Sequence, residues 1–287
     1  MSPLEKLVKR STSLYSLPDV YFRLKAVLDD PNSAMADVAA VIGQDPALTA
    51  RLLRLANSAY FGNSRKIDSV STAVSLVGTR QIHDLALATA VTDTFMGITN
   101  NIVGMHTFWR NSVFTATLAR QLAHRCNVLD AERLFVAGLL ADIGHLLMYQ
   151  HDPVRTIQAL AGANGAGEPL WQVERAIFGY DYAQVGAALF ASWQLPPGLL
   201  ETTRYHVTPS EAQQFPLETA IVHVAKGLTN VASAGSTIAR ETQPRLDLDA
   251  LELIQLDLQD LESVSQEAAR KSSEVLELIF PSARKAS

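Results

Sequence analysis

Apolar residues along this chain recur every three or four positions, and no run alternates with period two between turn formers for long enough to propose a strand. The pattern predicts an all-α protein. After Asn32, the residues Met35, Val38, Ala39 and Ile42 share one helical face, with Asn32 placed as N-cap and Gly43 as the stop. Asp45-Pro46 opens a second helix, because an Asp side chain accepts from first-turn N–H groups and a proline at the first helical position forfeits no hydrogen bond. Leu48, Leu52 and Leu55 line that helix, and turn formers follow from Asn57. A helix over 73–77 should stop at Gly78, and a longer one should occupy about 79–96.

The periodicity relaxes around 99–104, where a boundary between two helical lobes is expected. Helices are then predicted near 105–126, 131–150, 153–163, 168–178, 181–193, 196–206 and 216–232. From Asp247 the residues Leu251, Ile254, Leu258, Leu261 and Val264 form one stripe, with Glu252, Asp257, Asp260 and Glu262 on other faces. Docking of this stripe on the chain's own domain is the expectation, and a homodimer through it is the alternative.

Composition narrows the class. With 287 residues, 48% of them hydrophobic, the chain can fill a large core without staples. The single cysteine, Cys126, excludes an intrachain disulfide and a thiolate zinc site, and fits a reducing, cytoplasmic setting. The N-terminus shows no apolar signal segment, and no stretch approaches the ~18 uncharged apolar residues of a membrane helix. A net charge of -5 argues against nucleic acid as a partner, and Arg51, Arg54, Arg65, Lys66 and Arg80 read as a solvated rim. Neither a G-x-S-x-G elbow nor a glycine-rich phosphate loop is present.

Several strings occur in the order found in one bacterial family: LPDV at 17–20, DPAL at 45–48, LLRLANSAYFG at 52–62, then Ile67, Ala73, Leu76 and Gly78. FWRNS at 108–112, AGLLADIG at 137–144, FGYDYAQVG at 178–186 and WQLP at 193–196 continue the series. On these the chain resembles the HDOD domain family. The resemblance implies a domain over 14–210, with a first lobe over about 14–100 and a second over about 101–210, followed by a C-terminal helical extension over 211–287. It further implies that the second lobe derives from the bundle of metal-dependent HD phosphohydrolases, and that such modules serve mainly in bacterial signal transduction.

In catalytic relatives His and Asp side chains hold metal ions that bind phosphate and activate water. Carried onto this chain, the His of the central His-Asp pair is Ala141, leaving Asp142; the first His position is Asn111, a later one Tyr182, and the late Asp is Lys226. The resemblance therefore implies no catalytic residue, metal or cofactor. The expected function is a regulatory module that binds protein partners of a signalling pathway or a small ligand, with an altered phosphohydrolase and a nucleic-acid-associated regulator as alternatives. Its relict pocket would comprise Asn111, Asp142, His145, Tyr182 and His206, and a partner surface would use Asn57, Tyr60, Phe61 and Arg65. Each has a structural reading: Asn57 satisfies a helix end, Tyr60 and Phe61 cover core, His145 is partly exposed, and His206 caps its helix. An improvised metal site of Asp142, His145 and His206 is weighed against these. Asp142, among apolar neighbours, should need a partner, with Arg110 or a backbone group expected.

Overall fold

A computed structural model describes residues 1–58, 66–98, 100–233 and 246–280, and every regular element among them is helical. The side chain of Leu55 and the residues Tyr60, Phe61 and Arg65 lie outside what it describes. Contacts divide the chain into two units: one of Tyr15–Gly97 with the chain from Lys271 onward, the other of Met1–Leu14 with Ile98–Arg270. The change of lobe thus falls between Gly97 and Ile98, just ahead of the relaxed stretch.

The smaller unit holds α2 (Asp19–Asp29), α3 (Met35–Gly43), α4 (Pro46–Ala56), α5 (Val70–Val77) and α6 (Thr79–Met96) around a core that includes Leu24, Ile42, Leu52, Val74 and Ile82. Local chemistry sets the helix ends. Asp45 Oδ1 accepts from the N–H groups of Ala47 and Leu48 at 2.9 and 3.0 Å, and Ser69 Oγ accepts from Thr72 N–H at 3.1 Å. Gly78, at φ 98°, takes a backbone conformation that a residue with a Cβ would resist, and it ends α5 with its N–H on Val74 O. The start of α3 differs from expectation: Asn32 folds back on Asp30 Oδ1, and Asp37 instead receives the Ala34 N–H at 2.8 Å. The helix therefore begins two residues later than an Asn32 cap would allow, and Met35 in its first turn is exposed.

The larger unit holds α1 (Pro3–Leu14), α7 (Met105–Arg125), α8 (Ala131–Leu140), α9 (Ile143–His151), α10 (Pro153–Ala166), α11 (Leu170–Phe178), α12 (Tyr182–Ser192), α13 (Pro197–Tyr205), α14 (Pro216–Ala232) and α15 (Leu248–Ile254). The last helix, α16 (Leu258–Ile279), starts in this unit and ends in the smaller one. The helix expected over 131–150 is broken at Ala141 and Asp142 into α8 and α9. Two glycines explain the close packing on either side of the break. A Cβ on Gly138 would lie 2.9 Å from Thr115 O, and one on Gly144 would collide with Tyr182 O and come within 2.8 Å of Gly186 N. Backbone therefore meets backbone between α7 and α8, and between α9 and α12.

α14 is buried along most of its length and groups with the larger unit, as does the chain up to Arg270, while the chain from Lys271 groups with the smaller one. One C-terminal expectation is revised. The stripe from Leu251 is not one helix: Gln255, at φ 54°, ends α15, and a new helix starts at Leu258. Ile254, Leu261 and Val264 are buried while Leu258 is 79% exposed, because the break rotates it off the common face. Arg125 pairs with Asp260 at 3.2 Å, fastening the start of α16 to α7 within this unit. No helix among the described residues is long and apolar enough to cross a membrane.

Candidate functional site

The site is assembled at the break between α8 and α9. Asp142 has φ -94° and ψ 3°, and its carbonyl accepts the His145 N–H at 3.0 Å, so the two side chains share the first turn of α9. Asp142 Oδ2 receives the Lys226 ammonium of α14 at 2.5 Å, whereas Oδ1 is buried without a hydrogen-bond partner. Lys226 is itself 2% exposed. Burial alone would raise the Asp142 carboxyl, but Lys226, helped by His145 and His206, holds it below the ordinary carboxylate range. The predicted need for a partner is met by Lys226 and not by Arg110, which is exposed on α7.

His145 is 2% exposed, not partly exposed as expected, because the glycine contact at position 144 draws α9 against α12. Its ring stacks on Tyr182 with centroids 3.8 Å apart, and its Nε2 lies 3.1 Å from Glu174 Oε1. The two atoms lie within ion-pair distance, although Nε2 makes no hydrogen bond. Glu174 Oε2 accepts the Tyr182 N–H at 3.0 Å; burial raises the Glu174 carboxyl, against the pull of His145. Asp181 caps α12 by accepting from Gln184 N–H at 2.8 Å and takes Arg175 Nε at 2.6 Å, which fixes where α12 begins and hence where Tyr182 points.

His206 ends α13, with its N–H on Thr202 O, and is completely buried. Its Nδ1 is 2.7 Å from Thr203 O; a carbonyl only accepts, so Nδ1 carries the proton and Nε2 is the acceptor. Tyr182 O–H therefore donates to His206 Nε2 at 3.0 Å. Burial pushes the His206 imidazole down to about 4, in keeping with a neutral ring. Tyr182 is raised well above its ordinary value by burial and by the carboxylates of Asp142, Glu174 and Asp181.

Four of the five pocket residues thus converge. Asn111 does not join them: its Oδ1 accepts from Ser233 Oγ at 3.1 Å, seven residues beyond Lys226 and so about 10 Å along the α14 axis. Asn57 serves as a loop clasp, with Nδ2 donating to Ile67 O at 2.6 Å and Oδ1 accepting from Ile67 N–H at 2.7 Å. Arg51 is not a free basic residue, since it pairs with Asp93. Three participants were not singled out from the sequence. Glu174 had a legible signal, as Leu170, Glu174 and Phe178 share a helical face whose other two members are apolar. Asp181 with Gln184 forms a recognisable capping box. His223, whose Nδ1 donates to His206 O at 2.7 Å while Nε2 accepts from Asp247 N–H at 2.9 Å, had none.

The fold raises the question of a metal, and the donor set does not fit one. The ammonium sits on Asp142, the His206 nitrogens are engaged by Thr203 and Tyr182, and His145 Nε2 faces Glu174. Among the described residues no group of three or more His, Cys, Asp or Glu side chains is arranged to hold a metal ion.

Comparison with known proteins bears on the scaffold. Among solved structures, an HDOD domain protein of unknown function from Geobacter sulfurreducens superposes with a TM-score of 0.73 at 24% identity, over 96% of this chain and 98% of that one. A protein from Shewanella amazonensis SB2B, described as a candidate phosphohydrolase, gives 0.72 at 24% identity over 96% and 97%. A candidate signal transduction protein from Marinobacter aquaeolei VT8 gives 0.72 at 20% identity, over 96% of this chain and 64% of that one. These identities establish the fold alone. A curated but uncharacterized protein of Treponema pallidum (strain Nichols) is 24% identical over 201 residues, 70% of this chain and 39% of that protein, so the match spans well under half of the relative. The sequence profile of the HDOD domain matches residues 14–209, more than half of the chain, and the chain belongs to the HDOD domain family.

Proposed function

We propose that this protein is a non-catalytic signalling module that acts by binding a protein partner or a small ligand, on a scaffold shared with metal-dependent phosphohydrolases. The observation that carries this reading is the Lys226 ammonium on Asp142, 2.5 Å from Oδ2. A phosphohydrolase of this type uses its metal both to bind the phosphate and to lower the pKa of a water. An ammonium at the same carboxylate repels a divalent cation and supplies no coordination site for water. The rings that could contribute nitrogen donors are turned to other partners, so a metal would have to break existing contacts before it bound. The description of one structural neighbour as a candidate signal transduction protein agrees with the reading at the level of the scaffold.

The test is metal analysis of the purified protein, coupled to hydrolysis of bis(p-nitrophenyl) phosphate with added manganese. The expected result is substoichiometric metal and no turnover above buffer. Stoichiometric metal together with turnover lost in Asp142→Ala would replace this reading with a phosphohydrolase.

A further inference from the structure

We infer that the Lys226 side chain is a built-in counter-ion, a tethered cation holding a site that, once the side chain is removed, accepts a primary alkylammonium at Asp142. The inference rests on the non-catalytic reading and explains what became of the cation that this fold would otherwise recruit.

Three features carry it. Asp142 stands where α8 gives way to α9, so its carboxylate is presented by a chain break, at the N-terminus of α9, rather than by the middle of a helix. Its Oδ2 is held by the ammonium, while Oδ1 is buried and unpartnered, leaving one acceptor open at the same centre. The Lys226 stem runs through the buried face of α14, between the buried residues His223 and Thr229, and the amine reaches the carboxylate across 84 residues of sequence. A buried carboxylate without a cation is strongly disfavoured, so some cation must accompany Asp142 whenever it is ionised. Covalent attachment makes that cation independent of its concentration in solution, and it ties α14 to the α8–α9 turn. A dissociable ion would leave this link subject to chelators.

Removing the stem leaves a space shaped for an alkyl chain, ending at a carboxylate with both oxygens unpaired. The chemistry that fits is a short primary ammonium, with propylammonium matching the lost stem and amine. The test uses the full chain. Lys226→Ala is expected to lower Tm by roughly 10 °C, and propylammonium chloride should restore part of that loss with a saturable dependence that sodium chloride at equal ionic strength does not reproduce. Adding Asp142→Asn to Lys226→Ala should abolish the restoration.

A double-mutant cycle covers the case in which Lys226→Ala fails to fold. Lys226→Met with Asp142→Asn should melt above either single variant, because neutralising the carboxylate makes the counter-ion dispensable. Additive losses, a double variant that does not fold, or a restoration that ignores Asp142 would each overturn the inference. Turnover in the wild-type protein would remove the non-catalytic reading by a separate measurement, and an additive cycle would leave that reading in place.

Discussion

His206 makes stability depend on pH, and the sign follows from its burial. An exposed histidine in the unfolded chain takes its proton near 6.5, whereas the folded ring resists protonation until about 4. Between those values the unfolded chain binds more protons, so this contribution is fully present above pH 6.5 and is lost as pH falls towards 4. Its ceiling is roughly 3 kcal/mol. The raised carboxyl of Glu174 works the other way, favouring the folded state as pH falls, so the net slope is shallower than His206 alone implies. Urea unfolding at pH 7 and pH 5 should show a stability loss that is smaller in His206→Asn than in the wild type; equal losses would remove His206 from the account. Tyr182→Phe takes away the hydroxyl that donates to His206 Nε2 and leaves that acceptor buried and alone. A loss of about 1–2 kcal/mol is expected at neutral pH, measured by the same unfolding experiment.

At the scale of elements, the contact between α9 and α12 depends on the absence of a side chain at Gly144. Gly144→Ala should cost at least about 2 kcal/mol, because the new methyl meets backbone atoms that cannot rotate away. Gly97→Ala is the control, since nothing lies within 4 Å of its added Cβ and its φ is -80°. Comparable melting losses in the two variants would mean that backbone approach at Gly144 is not limiting. In the smaller unit, Asn57 joins positions 57 and 67 as a side-chain imitation of a paired backbone. Asn57→Ala should lower stability by roughly 1–3 kcal/mol, and hydrogen exchange at the Ile67 amide reports the loss directly.

For the whole molecule, the apolar stripe that could have paired two copies is largely consumed within the chain. Ile254, Leu261 and Val264 are buried and Leu251 is half-buried, so of the stripe only Leu258 stands exposed, with Leu248 and Leu253 exposed beside it. Light scattering at high concentration should return a monomeric mass; a dimer dispersed by Leu258→Asp would place self-association on that exposed remainder instead. The net charge of -5 sets a field unfavourable to nucleic acid, and Arg51 of the basic cluster is paired with Asp93. Duplex DNA should show no steeply salt-dependent binding by anisotropy, whereas affinity falling sharply as salt rises would revive a nucleic-acid role.

Where helices begin and end was largely legible in the sequence, because caps, glycine stops and apolar spacing act over three or four residues: Asp45, Gly78 and the long run of α6 are read from neighbours alone. The break at Ala141 and Asp142 was not legible, since both flanking segments carry helical spacing and the interruption accompanies packing against α7 and α12. That Asp142, set among apolar neighbours, needs a partner belongs to residue identity and follows from sequence. That the partner is Lys226, that His145 is buried beside Glu174, and that Asn111 turns away towards Ser233 were decided only by tertiary structure. Charge complementarity says that a buried carboxylate must be answered; only the path of the chain decides which of its cations arrives.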